Sequence, residues 1–298
     1  MSQLTFLQAV VIGLLQGATE LVPVSSLGHS ILVPAWLGGS WQGIVTDQVR
    51  PESPYLAFVV GLHVATAVAL LLFYWRDWVR IIAAFFTSVG RRRVSTPYER
   101  LAWLIVLATI PAGLAGLLLE HALRTLFAKP LAAAVFLTVN GLILFTGERV
   151  RRRVSSRPSH AAEPGEVADA VIAQRVSVRD AGIIGLVQTA ALLAGISRSG
   201  ITMVGGLLRG LTHEEALRFS FLLATPIIFA AGVYKLPDLF GPLGNGIRGQ
   251  VLAGSAAAFV AAYVSVRVLS RFFRTRNLMP FATYCVAAGL VSIVYFAR

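Results

Sequence analysis

Six uninterrupted apolar blocks, at residues 55–75, 101–119, 129–147, 215–235, 249–270 and 279–297, run along a chain of 298 residues. Each is close to the ~20 residues that a helix needs to cross a ~30 Å hydrocarbon core. In lipid every backbone N–H and C=O must be paired within the spanning structure, and continuous apolar stretches of this length do so as helices. The blocks predict an all-α polytopic membrane protein with six transmembrane spans. With 56% hydrophobic residues, 13% charged and a mean hydropathy of +0.73, an ordinary soluble globule is excluded.

Before the first apolar run, MSQLTFLQ carries no Lys or Arg, and the run itself contains Glu20, so no cleaved signal peptide is expected. The one cysteine, Cys285, lies in the last block, which leaves neither a disulfide framework nor a cysteine metal site and points to packing. A net charge of +12 does not indicate nucleic acid, because 17 of the 26 basic residues fall in three loops between apolar blocks. One loop holds Arg76, Arg80, Arg91, Arg92, Arg93 and Arg100; another holds Arg149, Arg151, Arg152, Arg153, Arg157, Arg175 and Arg179; the third holds Arg267, Arg271, Arg274 and Arg276. The positive-inside rule makes these cytoplasmic, and the sparse loops near Arg50, near Arg124 with Lys129, and near Lys235 with Arg248 face outward, as does the C-terminus.

Two further apolar stretches, 3–37 and 180–211, are interrupted near their middles by "LVPVSSLGHS" and "LLAGISRSGI". On the orientation above, each must begin and end on one side of the membrane, so both read as re-entrant helical hairpins of opposite sense. An offset of 172 residues aligns 12–28 with 184–200, with Ile, Gly, Leu, Gln, Ala, Leu, Ser and Gly identical at eight of 17 positions. A hairpin plus three spans per repeat is an odd number of crossings, which gives an inverted-topology repeat with a site near the midplane. The chain is thus expected to be a single integral membrane domain over 1–298, with a first repeat at 1–150, a polar, proline-interrupted cytoplasmic linker at 151–178 and a second repeat at 179–298. Thr96 to Glu99, Ser177 to Asp180 and Thr212 to Glu215 fit capping boxes that open helices, without further function.

A carboxylate at membrane depth costs at least ~2.5 kcal/mol, so Glu20 and Arg198 are expected at a wet cavity or facing a partner. Gln16 and Glu20, four residues apart, project from one helix face and could share a metal ion or a substrate group. The run Gly195-Ile196-Ser197-Arg198-Ser199-Gly200 offers backbone amides, hydroxyls and a guanidinium shaped for phosphate; Ser25, Ser26 and Gly28 could provide the same on the other tip. A structural buried pair of Glu20 with Arg198, and helix caps at Ser25 and Ser26, are the plainer readings. His63 on a span reads as packed, and His121, His160 and His213 as solvated residues of loops and helix starts.

At these positions the chain resembles the undecaprenyl-diphosphate phosphatase, or bacitracin-resistance, family. Its first motif is seen as Gln16, Glu20, Pro23, Ser25, Ser26, Gly28 and His29, and its second as Gly195, Ser197, Arg198, Ser199 and Thr202, with Ala194 where the family usually has proline. "FSFLLATP" at 219–226 and the order of spans extend the resemblance over nearly the whole chain. The resemblance implies hydrolysis of undecaprenyl diphosphate to undecaprenyl phosphate and inorganic phosphate, in the bacterial inner membrane, with the site open toward the periplasm. It implies a dependence on a divalent metal ion, and the residues themselves suggest Glu20, with help from Gln16, as the holder of Mg²⁺ or Ca²⁺. Catalytic roles fall to Glu20, Ser26, His29 and Arg198, and substrate binding to Gln16, Ser25, Gly28, Gly195, Ser197, Ser199, Gly200 and Thr202. The nucleophile stays open among Ser25, Ser26, His29 and water.

The expected partners are a polyprenyl diphosphate lipid and the bilayer, without nucleic acid; the sequence leaves a homo-oligomer open. A lipid-phosphate flippase or anion carrier is the alternative, since inverted repeats with broken helices also build transporters. Ser26-x-Gly28-His29 and Ser197-Arg198 are also similar to motifs of phosphatidic-acid-phosphatase enzymes, which need a further histidine and aspartate that the run from Ser199 to Leu211 lacks.

Overall fold

The computed structural model describes residues 4–41, 43, 54–127, 129–154, 168–241 and 245–298. Among these, the chain forms twelve α-helices and no strand. They are α1 (Phe6–Leu21), α2 (Ser26–Leu37), α3 (Pro54–Phe73), α4 (Trp75–Arg91), α5 (Pro97–Phe127), α6 (Pro130–Val154), α7 (Ala168–Arg175), α8 (Val178–Val187), α9 (Arg198–Leu208), α10 (His213–Phe240), α11 (Arg248–Phe272) and α12 (Met279–Phe296). All six apolar blocks are helical. Five helices, α5, α6, α10, α11 and α12, contain segments long and apolar enough to cross a membrane. Residues Phe58–Phe73 and Trp75–Arg91 pass that test only together, and they bend by 86°. The protein is an all-α, multi-pass membrane protein.

The starts of these helices follow from local chemistry. Thr212 and Ser177 each accept a hydrogen bond from the backbone N–H three residues on, and Glu215 and Asp180 reach back to the cap amides. Glu99 closes the same box on Thr96, 3.1 Å from its N–H. A fourth box, Thr5 with Gln8, opens α1.

Between helices, small residues replace the hydrophobic drive that lipid removes, because they let backbones approach. On α1, a Cβ at Gly13 would overlap the backbone of Gly254 on α11, and one at Gly17 that of Ala258. On α8, a Cβ at Gly185 would overlap the backbone of Ala108 on α5. Gly13 and Gly185 are related by the 172-residue offset, and so are the helices that carry them. α6 and α12 pack through Gly141 and Gly289. α10 is the most buried of the spans, and outward side chains such as Leu117, Leu118, Leu252, Val260 and Val294 are apolar and exposed, as a lipid-facing surface requires.

Two segments differ from their sequence expectation. The arginine-rich loop after the first block is largely helix α4, because Trp78, Ile81, Phe85 and Ser88 recur at helical spacing against the core. The end of the segment read as a linker is α7, with Val171, Ile172 and Ala173 buried and Asp169 bonded to Arg218 of α10 at 2.6 and 2.8 Å. Residues 155–167 of that segment, with His160 and Arg157, lie outside the described residues, as does the loop at Arg50.

Candidate active site

Both interrupted stretches break where the sequence predicts. α1 ends at Leu21 and α2 begins at Ser26; α8 runs through a 3₁₀ turn at Gln188–Leu192, and α9 begins at Arg198. Pro23 has no N–H to continue α1, and Gly195, at φ +116°, takes a conformation that side chains disfavour. Each new helix is capped by a serine: Ser25 Oγ accepts from Gly28 N at 3.2 Å, and Ser197 Oγ from Gly200 N at 3.1 Å. Ser26 and Arg198 therefore hold matching places, each the first residue of the helix that follows a break.

The two tips interlock. Ser25 Oγ also accepts from Gly195 N at 3.2 Å, and Ser199 Oγ donates to the Val22 carbonyl at 3.2 Å. Asn140 of α6, fully buried, clamps both: Nδ2 donates to the Pro23 carbonyl at 3.1 Å and Oδ1 accepts from Ser197 N at 2.9 Å. Ser25 holds φ +71°, a strained value for a non-glycine residue, under the constraint of these bonds.

Between the tips, three expected residues converge on the carboxylate of a fourth. Glu20 accepts from Gln16 Nε2 at 2.9 Å on Oε2, from Ser26 Oγ on the same oxygen, and from Arg198 Nη2 on Oε1. The Glu20 side chain is 6% exposed and that of Arg198 19%, so the pair is mutually compensated where neither charge is well solvated. The N-termini of α2 and α9 both start here, and their positive ends favour an anion.

His63 of α3, read from the sequence as packing, joins this cluster. Its Nδ1 faces the Val59 carbonyl at 2.9 Å, which assigns the ring proton to Nδ1 and leaves Nε2 to accept from Gln16 Nε2 at 3.2 Å, 3.8 Å from Glu20 Oε2. At 33% exposure, His63 lies at the open edge of the cluster. A histidine inside an apolar span was the only signal for it, as an asparagine was for Asn140.

His29 turns elsewhere. Its Nδ1 faces the Ser25 carbonyl at 2.7 Å and its Nε2 the Tyr284 hydroxyl at 2.8 Å, so both ring nitrogens are occupied away from Ser26. Thr202 bonds back to Arg198 O at 2.8 Å and across to Ser220 Oγ at 2.7 Å. Gly28 packs against Gly195, and Gly200 against Leu144 and Pro23. Ser25, Gly28, Gly195, Ser197, Ser199, Gly200 and Thr202 thus build the tips, while Gln16, Glu20, Ser26 and Arg198 meet between them. His213 is not a solvated helix-start residue: it is buried and lies 2.7 Å from Glu148. Cys285 is buried and free, as its place in an apolar block implies.

A carboxylate, a hydroxyl and a guanidinium thus meet between two interrupted helical stretches inside a multi-pass helical bundle. The chain belongs to the bacitracin resistance protein BacA family, whose profile matches residues 9–291. It is 59% identical to the undecaprenyl-diphosphatase of Mycolicibacterium paratuberculosis over 303 residues, covering 99% of each chain. Its identity to undecaprenyl-diphosphatase 2 of Frankia alni is 55% over 341 residues, covering 100% of this chain and 99% of that one.

Proposed function

We propose that the protein is a membrane-embedded diphosphatase that hydrolyses undecaprenyl diphosphate to undecaprenyl phosphate and inorganic phosphate, returning the lipid carrier to cell-wall synthesis and conferring bacitracin resistance. The observation that carries this is the convergence of Ser26, Glu20 and Arg198 in a chain whose full-length relatives bear that enzyme's name. The membrane is the bacterial inner membrane, and the site opens past His63 toward the periplasm, with the two hairpins entering from opposite faces. Every group of the site comes from one chain, so a homo-oligomer is not needed to complete it.

Catalysis of phosphoryl transfer is mainly positioning and charge stabilisation. Ser26 Oγ, already donating to Glu20, is the nucleophile on the terminal phosphorus. As the Oγ–P bond forms, the Ser26 proton passes to Glu20 and the bridging P–O bond breaks; its electron pair leaves with undecaprenyl phosphate, which takes that proton from Glu20 and restores the carboxylate. Arg198 exchanges Glu20 for phosphate oxygens and carries their charge. Water then cleaves the phosphoserine, with Glu20 as base and His63 Nε2 within reach of the same proton, and inorganic phosphate leaves. His29 fixes the turn that presents Ser26, through Ser25 and Tyr284.

A divalent cation, Mg²⁺ or Ca²⁺, belongs to this reading. Among the described residues no group of three or more His, Cys, Asp or Glu converges. The hard oxygens of Glu20 and Gln16 would hold the ion together with the substrate's phosphates, which suits a metal that usually takes one or two carboxylates. When bound it supplies neutralisation of phosphate charge. Purified protein in detergent should release phosphate from undecaprenyl diphosphate, lose that turnover to chelator, and lose it in Glu20→Gln and Arg198→Ala. Absence of release by folded wild type across several divalent ions, with lipid-phosphate flux in proteoliposomes, would replace the enzyme with a carrier.

A further inference from the structure

α4 has three faces, and the membrane-spanning helices account for only one. Trp78, Ile81, Phe85 and Ser88 pack inward, with Ser88 Oγ accepting from Trp103 Nε1 of α5 at 2.9 Å. Asp77 ties the helix to Arg218 of α10 at 3.0 Å. About a third of a turn away, Trp75, Val79, Ile82, Phe86 and Val89 form a continuous stripe at spacings of four and three residues, exposed by 55, 59, 49, 66 and 48%. On the remaining arc Arg76 and Arg80 are exposed, and Arg91, Arg92 and Arg93 follow at its end.

An apolar stripe of this size on a soluble surface would be a liability. Here the neighbouring geometry supplies its environment. α4 leaves α3, read from the sequence as a span, at 86°, so with α3 along the membrane normal α4 runs nearly parallel to the bilayer plane. Its two outward faces are then stacked along the membrane normal, apolar on one side and cationic on the other. Trp75, exposed at the corner, is an amphipathic ring of the kind that favours the headgroup level, and the Arg76 guanidinium lies 5.3 Å from its ring centroid. The arginine count also opposes a burial of α4 across the hydrocarbon core.

We infer that α4 is an interfacial anchor lying in the arginine-rich leaflet, with its stripe among acyl chains and Arg76, Arg80 and Arg91 to Arg93 on the phosphates of anionic glycerophospholipids. This partner is chosen by charge complementarity: the cationic arc stands where acidic headgroups lie, and each basic residue near such a surface adds attraction. The anchor holds α10 in register through Asp77 and Arg218, and Ser220 of α10 bonds Thr202 of α9, the helix that carries Arg198.

The test uses the full chain in vesicles of phosphatidylcholine with phosphatidylglycerol, spin-labelled in turn at Ile82→Cys, Phe86→Cys and Arg80→Cys, with buried Cys285 as the unlabelled background. Labels at 82 and 86 should be accessible to oxygen and shielded from an aqueous nickel reagent, and the label at 80 the reverse. Nickel access at 82 and 86 equal to that at 80 would overturn the proposal. Dipolar coupling between labels at 86 that survives dilution in lipid would also overturn it, because a second copy of the chain would then cover the stripe. Independently, native mass spectrometry of R76Q/R80Q should show bound phosphatidylglycerol relative to phosphatidylcholine reduced by at least about fivefold from wild type. Unchanged retention would remove the headgroup half of the proposal.

Discussion

Arg198 on α9 and Glu20 on α1 meet in an ion pair across 178 residues of sequence, and Ser26, at the start of α2, donates to the same carboxylate from only six residues away. Each charge is the other's compensation until a phosphate arrives. Removing either one leaves the other charge poorly solvated and unpaired, which is the costly case for a buried pair.

Glu20→Gln and Arg198→Ala should therefore each lower phosphate release by roughly 10²–10³-fold, the scale of losing one charge-stabilising or proton-accepting group. The double variant should lose little more than the worse single one, since the groups act as a unit. Arg198→Lys keeps the charge but not the planar fork and should fall between. Kinetics on the four proteins give the coupling directly.

The adjacent serines should separate cleanly. Ser26→Ala should abolish turnover while leaving thermal stability near wild type. Ser25→Ala removes the acceptor for two buried amides, Gly28 N and Gly195 N, and should cost about 1–3 kcal/mol of stability with a secondary loss of activity. Thermal unfolding in detergent, paired with activity, checks both.

Asn140→Ala should act through geometry. It leaves the Ser197 amide unpaired and the Pro23 carbonyl with only the weak Cys285 thiol, and lets the tips drift, so kcat should fall more than KM rises. Asn140→Asp retains the acceptor for Ser197 N and should recover part of that loss. A fall in stability alone, with kcat unchanged, would make the clamp purely structural.

The 172-residue offset between Gly13 and Gly185 makes a paired prediction. Gly13→Val and Gly185→Val should destabilise by similar amounts, about 1–3 kcal/mol or more, since each drives a side chain into a facing backbone. Gly182→Val, one turn away on α8 in open space, should be tolerated. Thermal unfolding of the three variants compares the two equivalent helix contacts.

What the sequence revealed was local in origin. Apolar length marked the six helical blocks, Pro23 and Gly195 marked the breaks, and three capping boxes marked helix starts. Glu20 and Arg198 announced themselves because charge is expensive in lipid. His63, Asn140 and Tyr284 did not, because their roles depend on partners 47 to 255 residues away, which tertiary packing alone brings near. His213 looked like a solvated helix start until α6 placed Glu148 against it. α4 was hidden by its own arginines, which were legible as topology while the helical spacing beneath them was not.

The most direct test supplies undecaprenyl diphosphate labelled with ³²P at its terminal phosphate to purified wild type and Ser26→Ala, with divalent cation, and quenches in acid. Wild type should release the label as inorganic phosphate and carry a trace on the peptide containing Ser26, while the folded variant binds the lipid and releases none. Equal release by both proteins would contradict the account of Ser26, Glu20 and Arg198 as the reacting centre.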